Sequence, residues 1–282
     1  MKQQPPHAER QPLGQLLFSQ GFGTRRECAA LAASGQVSIG GRVVDDARTI
    51  VQIAEGEPFE VDGQPWPYHA KAVVMLHKPV GVECSLRPGR HPSVLGLLPA
   101  PLRRRGVQPV GRLDVDTTGL LLLCDDGQLA HRLIAPKHKV AKLYEVTTRH
   151  AIADDAVRRL LEGVVLDDDP RPVRAAACER RGERSLALTL TEGRYHQVKR
   201  MVAAVGNRVE ALHRSAFGGL VLPPGLAPGQ WRWLSADELA QLRRPAAAAA
   251  IDTATDTATD TATGTSFDTP TDTPTSHHAR PG

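Results

Sequence analysis

The alternation of apolar and polar positions divides the chain into a short N-terminal unit and a longer body. Residues 13–20 are apolar and helix-compatible. Thr24-Arg25-Arg26-Glu27 then reads as a capping box, in which Thr24 and Glu27 satisfy each other's free amides at a helix start. This second helix is expected to run to about Ser34 and to stop at Gly35. Residues 37–39 and 42–44 predict two short strands turned at Gly40-Gly41. Residues 57–70 are rich in proline and polar groups and read as a linker.

From Val73 the pattern becomes mixed α and β. Residues 119–124 form a continuous apolar run, the mark of a buried strand, whereas residues 143–148 and 186–191 alternate, as in sheets with one covered face. Residues 151–162 look helical. If residues 196–205 are helical, Val198, Met201, Val202 and Val205 share the apolar face. Lys199 then lies at its flank and Arg200 points away from the core. The core is expected to end near Leu242, before an alanine run and Asp-Thr-Ala-Thr repeats with little to bury. The expected segments are a flexible arm (1–11), a small domain (12–60), a linker (61–72), a large domain (73–243) and a low-complexity tail (244–282).

Composition refines this picture. Only 4% of residues are aromatic against 41% hydrophobic, so the core must be mostly Leu, Val and Ala. The formal net charge of +4 understates the basicity of the body, because the tail after Ala246 carries several Asp. Basic clusters at residues 102–105, 132–142 and 194–200, and Arg25, Arg26 and Arg42 in the small unit, suit a polyanionic partner. Cys28, Cys84, Cys124 and Cys178 form no Cys-x-x-Cys pair, and His131, His138 and His196 fit no common zinc spacing, so reduced thiols and no metal are expected. The start carries no signal-peptide pattern and no apolar run is long enough to span a membrane, so a cytoplasmic location is expected.

The stretch richest in chemistry is GRLDVDTTGLLLLCDDGQLAHRL, residues 111–133. Asp114 lies in a Gly-Arg-Leu-Asp loop just before the buried strand. Gly111 and Gly119 permit unusual backbone geometry or close approach of a ligand. Arg112 can clamp a phosphate or orient a carboxylate. Asp114 and Asp116 stand two apart, a pair suited to metal binding, acid–base work or nucleophilic catalysis.

Four ordered segments carry a family resemblance. KPVGVECS (residues 78–85), the Asp114 stretch, KLYEV (142–146) and EGRYHQVKRM (192–201) together resemble the RsuA-type ribosomal RNA pseudouridine synthases. The small unit, above all GQVSIGGRVV, resembles the S4 RNA-binding domain. The resemblance implies an α+β protein: a small S4-like α/β domain followed by a catalytic domain built on a mixed, mainly antiparallel sheet. It implies isomerisation of one uridine, with the glycosidic bond moved from N1 to C5 of the base. No atoms are gained or lost, so no cofactor is expected. Asp114 would be the essential carboxylate, Tyr144 would stack on the target base, and Lys199 would be the cationic partner of Asp114. Whether the carboxylate attacks the base or the sugar, or assists deprotonation, stays open. The target must be flipped from its stack. Arg112 would hold a flipped phosphate, with Arg25, Arg26, Arg42, Arg194, Arg200 and the residue 103–105 cluster on flanking RNA. The resemblance favours 16S RNA of the small subunit, free or in an assembling particle, and a monomer. The alternatives are a 23S target, a non-catalytic S4-type RNA-binding protein, and a glycoside hydrolase, which would need two carboxylates at a defined separation.

Overall fold

The computed structural model describes residues 8–167 and 169–243. The tail predicted over 244–282 lies outside the described residues, as does most of the predicted arm.

Strand β1 (Glu9–Pro12) leads into α1 (Leu13–Ser19), whose Leu13, Leu16 and Leu17 are fully buried. The capping box forms at the start of α2 (Arg25–Ala33). The Thr24 hydroxyl accepts the Glu27 N–H at 3.3 Å, and the Glu27 carboxylate accepts the Thr24 N–H at 2.6 Å. The hairpin of β2 (Val37–Ile39) and β3 (Arg42–Val43) turns through Gly40 and Gly41, both at positive φ. Strand β4 (Ile50–Ile53) pairs with β1. Residues 9–11, expected in the loose arm, are therefore strand, and the Tyr68 hydroxyl donates to the Glu9 carboxylate.

The linker expected over 61–72 is corrected as well. Strands β5 (Pro58–Val61) and β6 (Gln64–Pro67) extend the hairpin into a sheet of order β3-β2-β5-β6. Prolines 65 and 67 misled because a central strand excludes them; β6 is an edge strand, where a missing N–H costs no ladder bond. Phe59 and Trp66 of this hairpin are buried.

The large unit contains β7 (Val73–Lys78), α3 (Ala100–Arg104), β8 (Gln108–Pro109), β9 (Thr117–Cys124), α4 (Gly127–Ile134), β10 (Lys142–Thr148), α5 (Ala156–Glu162), β11 (Val164–Leu166), β12 (Asp169–Val173), β13 (Ala177–Gly182), β14 (Ser185–Leu190), α6 (Gln197–Ala204), β15 (Val209–Phe217), β16 (Leu220–Val221), β17 (Trp231–Trp233) and α7 (Ala236–Arg243). Among the described residues the main sheet runs β13-β14-β10-β15-β9-β7-β17. Only its β15–β9 pairing is parallel, so the sheet is mixed and mainly antiparallel. Strand β9 reads as continuous Leu because both its faces are covered: Leu121 and Leu123 enter one core, Leu120, Leu122 and Cys124 the other. Strand β10 alternates because one face is exposed. Of the helix expected over 151–162, only Ala156–Glu162 forms.

The small unit is packed on the large one. Phe22, Phe59, Trp66 and Trp233 form a chain of edge-to-face contacts from the small sheet to β17, with centroids 5.5–5.7 Å apart. Arg105 is nearly buried beside them. It bonds Asp125 (2.9 Å), Gln20 (2.8 Å) and the Ala70 carbonyl (3.3 Å). Arg105 was expected on the RNA surface; it holds the junction instead. Arg104 donates to the Phe22 carbonyl, and Arg103 is exposed.

Candidate active site

Asp114 sits on the loop between β8 and β9. The Thr117 N–H donates to the Asp114 carbonyl at 3.1 Å, closing a tight turn. The loop is braced from beneath by the segment at the end of β7. Lys78 is fully buried, and its ammonium donates to the carbonyls of Thr117 (2.8 Å), Pro79 (3.0 Å) and Val115 (3.4 Å). Burial holds its pKa below the ordinary lysine value. Gly81 N–H bonds the Val115 carbonyl at 2.9 Å, and Leu113 N–H reaches Cys84 Sγ at 3.5 Å. The sequence marked this segment as a motif without giving it a role; here it holds the loop that carries Asp114.

Gly119 answers which of its two expected uses applies. Its φ is +109°, and a Cβ there would lie 2.3 Å from the Arg214 carbonyl oxygen. The close approach is that of strand β15, not of a ligand.

Helix α6 supplies the groups opposite Asp114. Its apolar face forms as the wheel predicts, with Val198, Met201, Val202 and Val205 buried. Lys199, at the flank, reaches Asp114 Oδ2 at 3.1 Å and Asp116 Oδ1 at 2.6 Å. One ammonium thus bridges both carboxylates. Burial raises the Asp116 carboxyl, but the hydrogen bond and charge of Lys199 outweigh it and hold it below the usual range. Burial likewise lowers Lys199, but its bonds to Asp116 and Asp114 prevail and hold it above the ordinary value.

In the sequence His196 figures only as a possible metal ligand, in a spacing that fits no common zinc site. It stands at the N-terminus of α6 in the left-handed region (φ 48°, ψ 33°), with Nε2 3.3 Å from Asp114 Oδ1. Its ring stacks on Tyr195, centroids 3.8 Å apart and 20° from parallel. Nothing in the residue pattern marks His196 as a neighbour of Asp114, because only the fold brings the two loops together. Among the described residues no cluster of three His, Cys, Asp or Glu side chains is placed to hold a metal ion.

Among the described residues Tyr144 makes no hydrogen bond or ion pair with this group. It stands on β10 in a cross-strand row with Arg214 on β15, Gly119 on β9 and Lys78 on β7. Tyr144 is almost buried, and Arg214 is buried with Nε on the Leu120 carbonyl at 2.8 Å. One terminal nitrogen of Arg214 has no hydrogen-bond partner, a feature the sequence did not reveal.

The predicted RNA-facing residues separate into two sets. Arg112 is exposed on the Asp114 loop, and Arg25, Arg26 and Arg42 are exposed on the small unit, with Arg25 lying over the Phe18 ring at 4.7 Å. Arg194 and Arg200 flank the site and brace its turn. Arg194 lies 3.6 Å from Glu192, and Arg200 donates to the Tyr195 carbonyl at 3.3 Å.

A carboxylate held by a cation over a mixed sheet, behind a small domain that exposes Arg25, Arg26 and Arg42, suits an enzyme that works on nucleic acid. Residues 72–204 match the RNA pseudouridylate synthase family, and residues 11–56 match the S4 domain. The chain is 39% identical over 218 residues to the ribosomal small subunit pseudouridine synthase A of Vibrio parahaemolyticus, covering 77% of this chain and 92% of that one. It is 39% identical over 227 residues to the Escherichia coli protein of the same name, covering 80% and 97%. An RNA pseudouridine synthase of Bacillus subtilis, described as uncharacterized, is also 39% identical, over 83% of this chain and 99% of its own. A crystal structure of a pseudouridylate synthase superposes with a TM-score of 0.59 at 34% identity, over 82% of this chain and 99% of that one. The chain therefore belongs to the RNA pseudouridine synthase family, with an S4 domain ahead of the catalytic domain.

Proposed function

We propose that this enzyme converts a single uridine of 16S ribosomal RNA in the small subunit to pseudouridine, with Asp114 as its catalytic residue. The observation that carries the assignment of the site is the Lys199 ammonium, 3.1 Å from the Asp114 carboxylate on a loop braced by Lys78. The 39% identity to small-subunit enzymes across nearly their whole length supports the target.

The isomerisation breaks the bond between the sugar C1′ and N1 and makes one between C1′ and C5. The base loses the C5 proton and gains one at N1, so the reaction balances without a redox partner. Asp114 acts on the flipped uridine, by covalent attack or by assisting deprotonation. Lys199 orients that carboxylate and supplies the neighbouring positive charge. Tyr144 stacks on the target base. Arg112 takes a phosphate of the flipped nucleotide, and Arg25, Arg26, Arg42, Arg194 and Arg200 contribute to the RNA-binding surface. The enzyme acts as a cytoplasmic monomer; no helix among the described residues is long and apolar enough to cross a membrane.

The test is a pseudouridine map of ribosomal RNA from cells with and without the protein. The expected result is the loss of one small-subunit site. Loss of a large-subunit site with an unchanged small subunit would move the target to 23S RNA.

A further inference from the structure

Tyr195 is two-thirds exposed, an unusual position for a large ring beside a catalytic carboxylate. It is not loose. One face of the ring rests on His196, and its carbonyl is held by Arg200. Gln197, almost buried, fixes the same turn with its side-chain amide: Oε1 accepts the Arg194 N–H at 2.8 Å and Nε2 donates to Glu192 at 3.0 Å. The pair is thus a pre-formed aromatic surface. Its inner member contacts Asp114 at 3.3 Å and adopts a left-handed backbone, which a non-glycine residue keeps only where the surroundings enforce it.

Such a surface has an evident occupant in this reaction. When the uridine leaves its stack, the neighbouring base loses a stacking partner. An exposed ring on a basic surface replaces that partner for any base, because every base offers a π-face. We propose that Tyr195, stacked on His196, is the platform for the unpaired RNA base next to the flipped uridine. His196 is a positioning residue that ties this docking to the orientation of Asp114. The proposal rests on the assignment of Asp114 to catalysis and extends it to the residues that register the RNA on the site.

The experiment uses the full chain and two probes. The first is a short single-stranded oligouridine with 2-aminopurine beside a central uridine, whose fluorescence falls on stacking. The second is a small-subunit rRNA transcript, for kinetics. Wild type should quench the probe. Y195A should abolish the quenching and raise KM about 5- to 150-fold, the range for one stacked base, while kcat falls far less. Y195F should restore both. H196A and H196N should both lower kcat at saturating RNA, although Asn tolerates the left-handed backbone. Wild-type quenching and KM in Y195A would overturn the platform. Wild-type kcat in H196N would overturn the coupling to Asp114 and leave His196 a backbone hinge. If wild type converts only a large-subunit transcript, the target assignment fails, and the quenching and its loss in Y195A still decide the platform.

Discussion

The carboxylate of Asp114 is held between the ammonium of Lys199 and the imidazole of His196, while Asp116 competes for the same lysine. Lys199→Met keeps the stem and removes the charge. It should lower the single-turnover rate by about 10²-fold or more, the scale on which one pre-organised electrostatic partner contributes, with RNA affinity little changed. Asp116→Asn should do much less, because it removes a competitor and leaves the Lys199–Asp114 contact. Equal losses in the two variants would show that the acids act as a pair. Lys142 is a different case. It is buried, its ammonium donates to the Val140 carbonyl at 2.8 Å, and burial, with Arg214 nearby, pushes its pKa down to about 8. Below pH 8 the folded protein must keep this lysine charged at a cost. Between about 8 and the ordinary lysine value of 10.5 the folded form sheds the proton while the unfolded form retains it, so stability rises with pH. Lys142→Met should therefore stabilise the protein at pH 7, by on the order of 3 kcal/mol at most. That advantage should shrink as pH approaches 10. Melting curves of both proteins across this range test it; an advantage independent of pH would mean that packing, and not charge, is responsible.

At the scale of elements, β9 and α6 carry the site, and their two requirements differ. Gly119 is needed because the β15 backbone passes where a Cβ would lie. Gly119→Ala must displace β9 or β15, and with them the Asp114 loop. It should cost activity out of proportion to its size and lower the melting temperature; an alanine variant of normal activity and stability would show that the strands yield easily. The elements that were legible in the sequence were those whose signal is local. The Thr24–Glu27 box, the Gly40-Gly41 turn, the Leu run of β9 and the apolar stripe of α6 each depend on neighbours within a few residues. The flank position of Lys199 on that stripe follows from helix geometry alone, whereas its pairing with Asp114 was implied by the family resemblance. What was illegible depends on distant chain. Prolines 65 and 67 disguised an edge strand whose partner is fixed by the fold, and His196 meets Asp114 only because α6 and the β8–β9 loop converge. Arg105 looked like surface charge, since nothing near it in sequence announces Gln20 or Ala70.

For the whole molecule, the small unit and the catalytic sheet share a junction of aromatic rings, and Arg105, ion-paired to Asp125 within the large unit, reaches across to Gln20. Removing residues 1–68 should therefore destabilise what remains, in addition to weakening RNA binding and its salt dependence. Arg105→Ala leaves Asp125 without its cation and should cost about 3 kcal/mol, seen as a lower midpoint in urea. A truncated protein that melts like the full chain would show that the junction contributes nothing to the catalytic fold. The central claim is that this architecture exists to isomerise uridine through Asp114. It is tested most directly by the release of tritium from C5-labelled uridine in a small-subunit rRNA transcript, with purified wild type and Asp114→Asn compared at equal RNA occupancy. Wild type should release the label of one uridine per transcript, and Asp114→Asn should bind the RNA and release none; release at a comparable rate by the asparagine variant would contradict the assignment.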